Sequence, residues 1–315
     1  MMQLHRVFVG LLTACLLSPS VLHAQAPPAR LAEMSRVSFT LQYRVTGKPG
    51  TDKVVLTALV PKTIENRQKI LSTKYSLRPE KEFEENGNKY AQFVLEKPAG
   101  SQLVSINVEA ELYRYDLTVA AREQRRMESK EKLKPWLASE KFIEKDAPEI
   151  LAAAKQIPVG DELDMMRAIM VFVHQRLRYS GFDEADHGAV WALKNGRGDC
   201  TEFSDLFVAI CRAKNIPARV CEGYLASDVA KNDTPKHNRV EVYTKRHGWV
   251  PFDPLHTLRK SATFESLKPN FVYLSFQRDD TVLQNHHFAS YRYFGQPVTF
   301  ETDFKVADPA QARGR

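Results

Sequence analysis

Residues 197–207 read RGDCTEFSDLF, and apolar residues recur with helical spacing from the third position after the cysteine. This pattern predicts an α-helix that begins near Cys200 and ends before the segment Asn215-Ile216-Pro217. The predicted buried face of this helix consists of Phe203, Leu206, Phe207 and Ile210. Strands are predicted to follow it over residues 218–225, 239–244 and 249–252. The stretch therefore predicts a helix that three short strands follow.

Cys200 is a candidate nucleophile because it lies at the predicted start of this helix. A thiol at that place feels the positive end of the helix dipole and nearby free N–H groups, and both stabilise the thiolate. The alternative is a buried small apolar residue, which is the usual environment of a cysteine. Against that alternative, Asp199 and Thr201 flank Cys200, and the apolar face begins only at Phe203.

A cysteine nucleophile needs a histidine that accepts its proton and a third group that holds the imidazole. His237 stands just before one predicted strand, and Asp253 ends the next. Two neighbouring antiparallel strands bring such residues into contact, so His237 and Asp253 are the candidate partners of Cys200. His247 and His256 are nearby competitors, but both are expected to be exposed loop residues.

Four segments around these residues resemble the transglutaminase-like superfamily, in the same order and spacing. They are residues 197–207 around the cysteine, 215–224 on the following strand, 237–243 on the histidine strand and 249–254 on the aspartate strand. The resemblance is close over about residues 160–260, and Arg278-Asp279-Asp280 is a weaker match to a later segment. One departure is Arg239, where members of the family often have an aromatic residue.

The resemblance implies an α+β fold with a papain-like core, in which Cys200, His237 and Asp253 form a catalytic triad. The implied chemistry is acyl transfer from an amide through a thioester, without a cofactor or a metal. The backbone N–H of Cys200 is a natural oxyanion donor, and Tyr179 is the candidate for the second donor. His286 and His287 are a weak metal signal, because no second pair of ligands has zinc-like spacing.

Upstream of this core, alternating strands separated by turn signals predict an antiparallel β-sandwich over residues 32–120. A helical connector is expected over 121–158, with a helix from Ala138 to Gln156, and a second helix is expected from Asp161 to about Tyr179. The transglutaminase-like core is assigned to 159–305 and a flexible tail to 306–315.

Residues 1–24 have the basic, apolar and small-residue regions of a secretory signal peptide, which predicts a periplasmic or secreted protein. A lipid anchor at Cys15 is the alternative. No later segment is apolar for long enough to span a membrane. Removal of the signal leaves three cysteines, so at least one thiol has no intramolecular partner. Cys211 and Cys221 are expected to be buried. The sequence does not decide whether they form a disulfide with each other.

The composition is that of a globular protein, with 43% hydrophobic and 26% charged residues, which excludes collagen, coiled coil and general disorder. The net charge of +7 is spread along the chain without a basic tract, so a nucleic-acid partner is not expected.

The leading hypothesis is an exported cysteine hydrolase that acts on a protein, peptide or cell-wall amide. The alternatives are a protein-crosslinking glutamine acyltransferase and a non-catalytic scaffold. The sequence does not give the oligomeric state.

Overall fold

The computed structural model describes residues 33–120, 127–227, 229, 234–284 and 286–307. The predicted signal peptide at 1–24, Cys15 and residues 308–315 of the predicted tail lie outside the described residues. In the described part of the chain, no helix combines the length and the apolar composition needed to cross a bilayer.

The described residues form helices and sheets that are antiparallel except for one two-stranded pair, in the α+β class that the sequence predicts. The strands are β1 (Met34–Gly47), β2 (Thr51–Val60), β3 (Gln68–Tyr75), β4 (Lys81–Glu85), β5 (Asn88–Glu96), β6 (Gly100–Tyr113), β7 (Tyr115–Asp116), β8 (Arg178–Tyr179), β9 (Arg197–Gly198), β10 (Ala218–Leu225), β11 (Lys236–Thr244), β12 (Gly248–Phe252), β13 (Ser266–Leu267), β14 (Phe271–Ser275), β15 (Ala289–Gly295) and β16 (Thr299–Val306). The helices are α1 (Leu117–Ala120), α2 (Lys130–Leu133), α3 (Pro148–Lys155), α4 (Glu162–Arg176), α5 (Ala189–Asn195), α6 (Cys200–Ala213) and α7 (Pro254–Leu258), with a 3₁₀ turn at Lys134–Leu137.

Helix α6 is the central element of the helical half of the molecule. It packs against the sheet β12-β11-β10-β14, and helices α3, α4 and α5 contact it as well. The four predicted face residues are fully buried, and so are most of the other residues of the helix. A helix buried on nearly all sides is held by packing throughout its length. Its first residue, Cys200, therefore has a fixed position.

The register of the central sheet brings the ends of β11 and β12 together. The two strands are antiparallel, and Val240 lies opposite Phe252. The start of β11, with His237, is therefore at the same end of the sheet as Asp253, which follows β12 directly. On the other side of β11, strand β10 places Gly223 opposite His237.

The β-sandwich differs from the prediction because the C-terminal strands belong to it. Its sheets have the orders β16-β1-β6-β3 and β15-β2-β5-β4, and they share one apolar core. The assignment of residues 289–305 to the transglutaminase-like core was therefore wrong, and Val306, assigned to the tail, ends β16. The physical reason is burial: Phe304 of β16 packs against Phe39, and Phe300 packs against Tyr43.

The predicted helix from Ala138 to Gln156 is shorter in the structure. It is α3, which begins only at Pro148, where the missing N–H of proline costs no helical hydrogen bond. The preceding residues form turns with a bridge between Glu140 and Ile143. Because Ile150 and Ala153 of α3 lie in the same core as α6, this helix is part of the core and not a connector.

Helix α4 starts as predicted and ends earlier. The Asp161 carboxylate accepts a hydrogen bond from the Leu163 N–H at 2.9 Å, which caps the helix. The helix ends at Arg176, and Tyr179 lies in the short parallel pair of β8 with β9. This pair brings Tyr179 next to Gly198 and so close to the start of α6.

Candidate active site

The start of α6 is fixed by a reciprocal pair of capping hydrogen bonds. The Asp199 carboxylate accepts from the Thr201 N–H at 2.7 Å, and the Glu202 carboxylate accepts from the Asp199 N–H at 3.0 Å. This capping box satisfies two of the N–H groups that a helix leaves free at its start. Cys200 stands in the first turn with only 8% of its surface exposed. The sequence did not predict the cap, although Asp199 and Glu202 have the spacing for it.

Gly198 is required just before this cap by a close approach of Glu202. A Cβ atom at position 198 would lie 2.3 Å from Cβ of Glu202 and 2.8 Å from its Cγ. Both distances are far below ordinary contact, so Glu202 would have to leave the capping box.

We expect Gly198→Ala to lower the free energy of unfolding by about 1–3 kcal/mol, as overpacking of a buried position does. Urea unfolding monitored by circular dichroism measures this loss. The matched control is Gly160→Ala, where the added Cβ meets no atom within 4 Å. Equal stability of the two variants would contradict the assigned role of Gly198.

His237 and Asp253 are in direct contact, as the strand order predicted. Nε2 of His237 lies 2.8 Å from Oδ2 of Asp253, and both residues are buried. The other oxygen of Asp253 accepts from the His256 N–H at 2.9 Å, which caps α7. Two fixed elements, the end of β12 and the start of α7, therefore hold the carboxylate in place.

The Asp253 carboxylate is ionised. Burial acts to raise its pKa, but the nearby rings of His237 and His256 and the guanidinium of Arg239 outweigh burial and hold the pKa below its ordinary value. Nε2 of His237 therefore carries the proton of the hydrogen bond to this anion. The remaining ring nitrogen of His237, Nδ1, is left as the basic atom.

Arg239 is the third partner of Asp253, and sequence reasoning gave it no role in the site. Its Nε donates to Oδ2 of Asp253 at 3.2 Å, and a terminal nitrogen donates to Oδ1 of Asn270 at 2.9 Å. The guanidinium also lies 4.7 Å from the ring centroid of Phe271. A buried cation is thus held against the carboxylate that His237 uses.

The expectation that His247 and His256 are exposed loop residues was wrong. His247 is buried, with 4% of its surface exposed. His256 stacks on His237 with ring centroids 4.2 Å apart, and its Nδ1 lies 3.3 Å from Oδ2 of Asp253. Burial lowers the pKa of His256 to about 4, so its ring is neutral at pH 7. The short helix α7, which the sequence analysis missed, positions it.

Cys200 and His237 line the same cleft. The cleft has two lobes, and Phe182 and Lys236 border both of them together with Cys200 and His237. Tyr179, the candidate oxyanion donor, lines the first lobe only. The second lobe runs to the β-sandwich. The cleft is therefore open on both sides of the thiol.

Asn238 connects β11 to the start of α6. Its side-chain amide donates to the Thr201 hydroxyl at 3.2 Å, and its backbone N–H faces the thiol of Cys200. These contacts explain why the start of β11 and the start of α6 border one cleft.

The surroundings of the Cys200 thiol act against the effect of the helix dipole. Burial raises the pKa of the thiol, and the negative charge of Asp199 raises it further. The Asn238 backbone N–H acts in the opposite direction but does not compensate. The prediction of a thiolate rested on the helix dipole alone, and it did not include burial or the neighbouring carboxylates, which raise the pKa. A base in the cleft that accepts the thiol proton would offset both effects.

His237, Asp253 and His256 also satisfy the spacing of a metal-binding group, with their ligand atoms within 4.8 Å of one another. This closeness has another explanation, since both imidazoles already contact the same oxygen of Asp253. The Arg239 guanidinium lies on that oxygen as well, and its positive charge disfavours a divalent cation there. The arrangement is therefore that of two imidazoles and one guanidinium around a single carboxylate.

Besides Cys200, the described residues include the free thiols of Cys211 and Cys221, and the disulfide that the sequence allowed between them is not formed. Cys211 lies in the core on the helical side of the central sheet, where its sulfur is 3.7 Å from that of Met166. Cys221 packs with Phe271 and Tyr273 in a separate cluster. The two thiols therefore belong to different packing layers.

A buried ion-pair network stands beside the second lobe. Arg278 contacts Asp205 at 2.9 Å, Asp186 at 2.7 Å and Glu222 at 3.5 Å. His287 lies 3.1 Å from Asp186 and 3.5 Å from Glu222. The network joins α6 and β10 to the segment that leads into β15. Arg278 lies in the segment that matched the family only weakly, and His287 was a weak metal candidate. In the structure each of them forms ion pairs with acidic residues.

The charge on His287 makes stability depend on pH. Burial lowers its pKa, but Glu222 and Asp186 outweigh burial and raise the pKa from its ordinary value of 6.5 to about 10. Since the folded state binds this proton more tightly, the stabilisation is complete below pH 6.5 and is lost as the pH rises to about 10.

We expect the difference in unfolding free energy between the native protein and His287→Gln to shrink by on the order of 2 kcal/mol between pH 6 and pH 10. Urea unfolding at several pH values measures this difference. His286→Gln is the control, since His286 lines the same lobe and has no ion pair among the described residues. A difference for His287→Gln that does not change with pH would contradict the assignment.

Comparison with known proteins finds relatives of the part of the chain that carries this site. Residues 151–254 match the family model described as the Transglutaminase-like superfamily. A stretch of 95 residues is 27% identical to the uncharacterised protein YebA of Bacillus subtilis strain 168. This match covers 27% of the present chain and 13% of YebA, so the two proteins share only a small part of the length of YebA.

Among solved structures, a proposed cysteine protease from Cytophaga hutchinsonii superposes with a TM-score of 0.60 and 18% identity. The superposition covers 88% of the present chain and 93% of that protein, so the fold is shared over most of both. The periplasmic domain of TgpA from Pseudomonas aeruginosa, bound to ethylmercury, gives a TM-score of 0.39 and 15% identity, with 75% and 94% coverage.

Proposed function

We propose that this protein is a cysteine-dependent hydrolase of peptide or amide bonds, because residues 151–254 match the model of the Transglutaminase-like superfamily. The observation that carries the proposal is the 2.8 Å contact between His237 and Asp253 in a cleft that Cys200 also lines. A thiol, an imidazole and an ionised carboxylate in this order are the parts that nucleophilic acyl transfer needs.

In the first half of the reaction, Nδ1 of His237 accepts the proton of the Cys200 thiol while the sulfur attacks the carbonyl carbon of the amide. The carbonyl oxygen becomes an oxyanion, and the backbone N–H of Cys200 is the proposed donor to it. The C–N bond then breaks, and His237 returns the proton to the departing amine. The product of this half is a thioester on Cys200.

In the second half, His237 accepts a proton from water, and the resulting hydroxide attacks the thioester carbonyl. The C–S bond breaks, the thiolate regains a proton from His237, and a carboxylic acid leaves. Asp253 holds the ring throughout and balances its charge when both nitrogens are protonated. Tyr179 lines the first lobe of the cleft together with Cys200, and it is the proposed second donor to the oxyanion.

The test is to incubate the purified protein with libraries of peptides, isopeptides and cell-wall amides, and to analyse protein and products by mass spectrometry. We expect an acyl adduct on the peptide that contains Cys200, and free acids as products. Transfer to an added amine in place of water would instead indicate the crosslinking activity. Neither adduct nor product, with every library, would overturn the enzymatic proposal in favour of a scaffold.

We propose further that the protein acts outside the cytoplasm, because residues 1–24 have the pattern of a signal peptide. Cell fractionation and the N-terminal sequence of the mature protein test this proposal. Cleavage after Ala24 is the expected result, and a lipid on Cys15 would indicate the anchored form. An intact N-terminus in the cytoplasm would contradict export.

A further inference from the structure

The second lobe of the cleft ends on the β-sandwich, at strands β15 and β16. Its lining includes Ala289, Ser290 and Tyr291, which are three consecutive residues of β15. Side chains of a strand alternate between the two faces of a sheet, so a space that three consecutive residues border lies at an edge or an end of the strand. The cleft that starts at Cys200 therefore reaches β15 at its first three residues, where the free edge of this strand begins.

This edge has no neighbouring strand among the described residues. Strand β15 is the first in the order β15-β2-β5-β4, so it pairs with β2 on one side only. An unpaired edge presents a row of N–H and C=O groups, which is a template for one more strand.

The register tells which backbone groups face outwards. The Phe288 C=O accepts from the Leu59 N–H at 2.8 Å, so this pair is hydrogen-bonded across β15 and β2. In an antiparallel ladder, hydrogen-bonded pairs alternate with pairs whose N–H and C=O groups point away. The backbone groups of Ser290 and Arg292 therefore face β2, whereas those of Tyr291 and Tyr293 face the open edge.

On these grounds we propose that β15 binds an extended polypeptide segment of the substrate as an additional strand, next to the scissile amide. This inference rests on the proposed function, because it takes the cleft at Cys200 as the place of reaction. It narrows the substrate class to polypeptides with a segment that can adopt the extended conformation. Short amides and compact isopeptide links lack the alternating N–H and C=O groups that such pairing uses.

The location of the edge supports a substrate as the occupant. The edge and the thiol border one continuous cleft, so a chain that lies along β15 passes towards Cys200 and His237. Phe182, with 43% of its surface exposed, borders the same lobe and offers an apolar contact to a side chain of the bound strand.

The first test uses the native protein and a series of peptide substrates that carry one backbone N-methyl group each. A methyl group removes a hydrogen bond only where the N–H points at β15. We expect kcat/KM to fall by about five- to tenfold at every second position on one side of the scissile bond, with little change in between. Equal effects at neighbouring positions, or no effects, would overturn the proposal.

The second test compares Tyr291→Pro with Tyr291→Val. Both variants lose the ring contact between Tyr291 and Phe300, but only proline loses the outward N–H. We expect kcat/KM for a polypeptide to be about five- to tenfold lower in Tyr291→Pro than in Tyr291→Val, while iodoacetamide alkylates Cys200 in both variants. Equal rates for the polypeptide would count against strand addition.

A binding measurement separates this inference from the proposed function. Fluorescence anisotropy of the same N-methyl series on Cys200→Ala reports binding without reaction. Affinity losses that alternate along the peptide, without turnover by the native protein, would support the edge site and overturn the hydrolase. Turnover by the native protein without alternation in affinity would support the hydrolase and overturn the edge site.

Discussion

Replacing Cys200 with serine is expected to lower kcat/KM for amide hydrolysis at least about 1,000-fold. The proposed reaction starts with transfer of the thiol proton to His237, and a serine hydroxyl is a far weaker acid than a thiol. The same site cannot make up this difference, because burial and nearby carboxylates already raise the pKa of the thiol. The substitution changes one atom, so the capping box at the start of α6 is expected to persist.

The matched control is Cys211→Ala. Cys211 is a second buried thiol of the same helix, but it lies in the core and lines neither lobe of the cleft. This variant is expected to lose stability and to keep its kcat/KM. Initial rates at several substrate concentrations, together with intact mass after incubation with substrate, measure both effects. Hydrolysis by Cys200→Ser at a tenth or more of the native rate would show that Cys200 is not the nucleophile.

The start of α6 could be predicted from the sequence because its signals are local. The helical spacing of Phe203, Leu206 and Phe207 fixes the buried face, and Pro217 marks a boundary after the helix ends. The contact between His237 and Asp253 was also predictable, since two short neighbouring strands leave few possible registers. In both cases the information lies within a few tens of residues.

What the sequence did not predict depends on contacts between distant segments. Nothing near Arg239 in the chain reveals that it contacts both Asp253 and Asn270. Likewise, β16 looks like any alternating strand, and only its pairing with β1, more than 250 residues away, places it in the sandwich. The environment of the Cys200 thiol was not predictable for the same reason, because residues from distant parts of the chain bury it.

The hydrogen bonds around Asp253 make Asp253→Asn the second substitution with a large expected effect. The variant keeps the shape of the side chain, and asparagine is as good a helix cap as aspartate, so the bond to the His256 N–H is expected to persist. What is lost is the negative charge next to Nε2 of His237. An amide can also donate to Nε2, which favours the tautomer with its proton on Nδ1, and that tautomer cannot accept a proton from Cys200.

We therefore expect Asp253→Asn to lower kcat about 1,000- to 10,000-fold with little change in KM, the pattern for loss of an interaction made in the transition state. Arg239→Met is the comparison, because it removes another partner of the same oxygen and leaves the carboxylate charged. If the carboxylate and not the guanidinium orients His237, the kcat of Arg239→Met falls by less than about tenfold. Thermal unfolding of both proteins separates catalytic from folding defects. A larger loss for Arg239→Met than for Asp253→Asn would mean that the guanidinium positions the imidazole, and the proposed role of Asp253 would have to be abandoned.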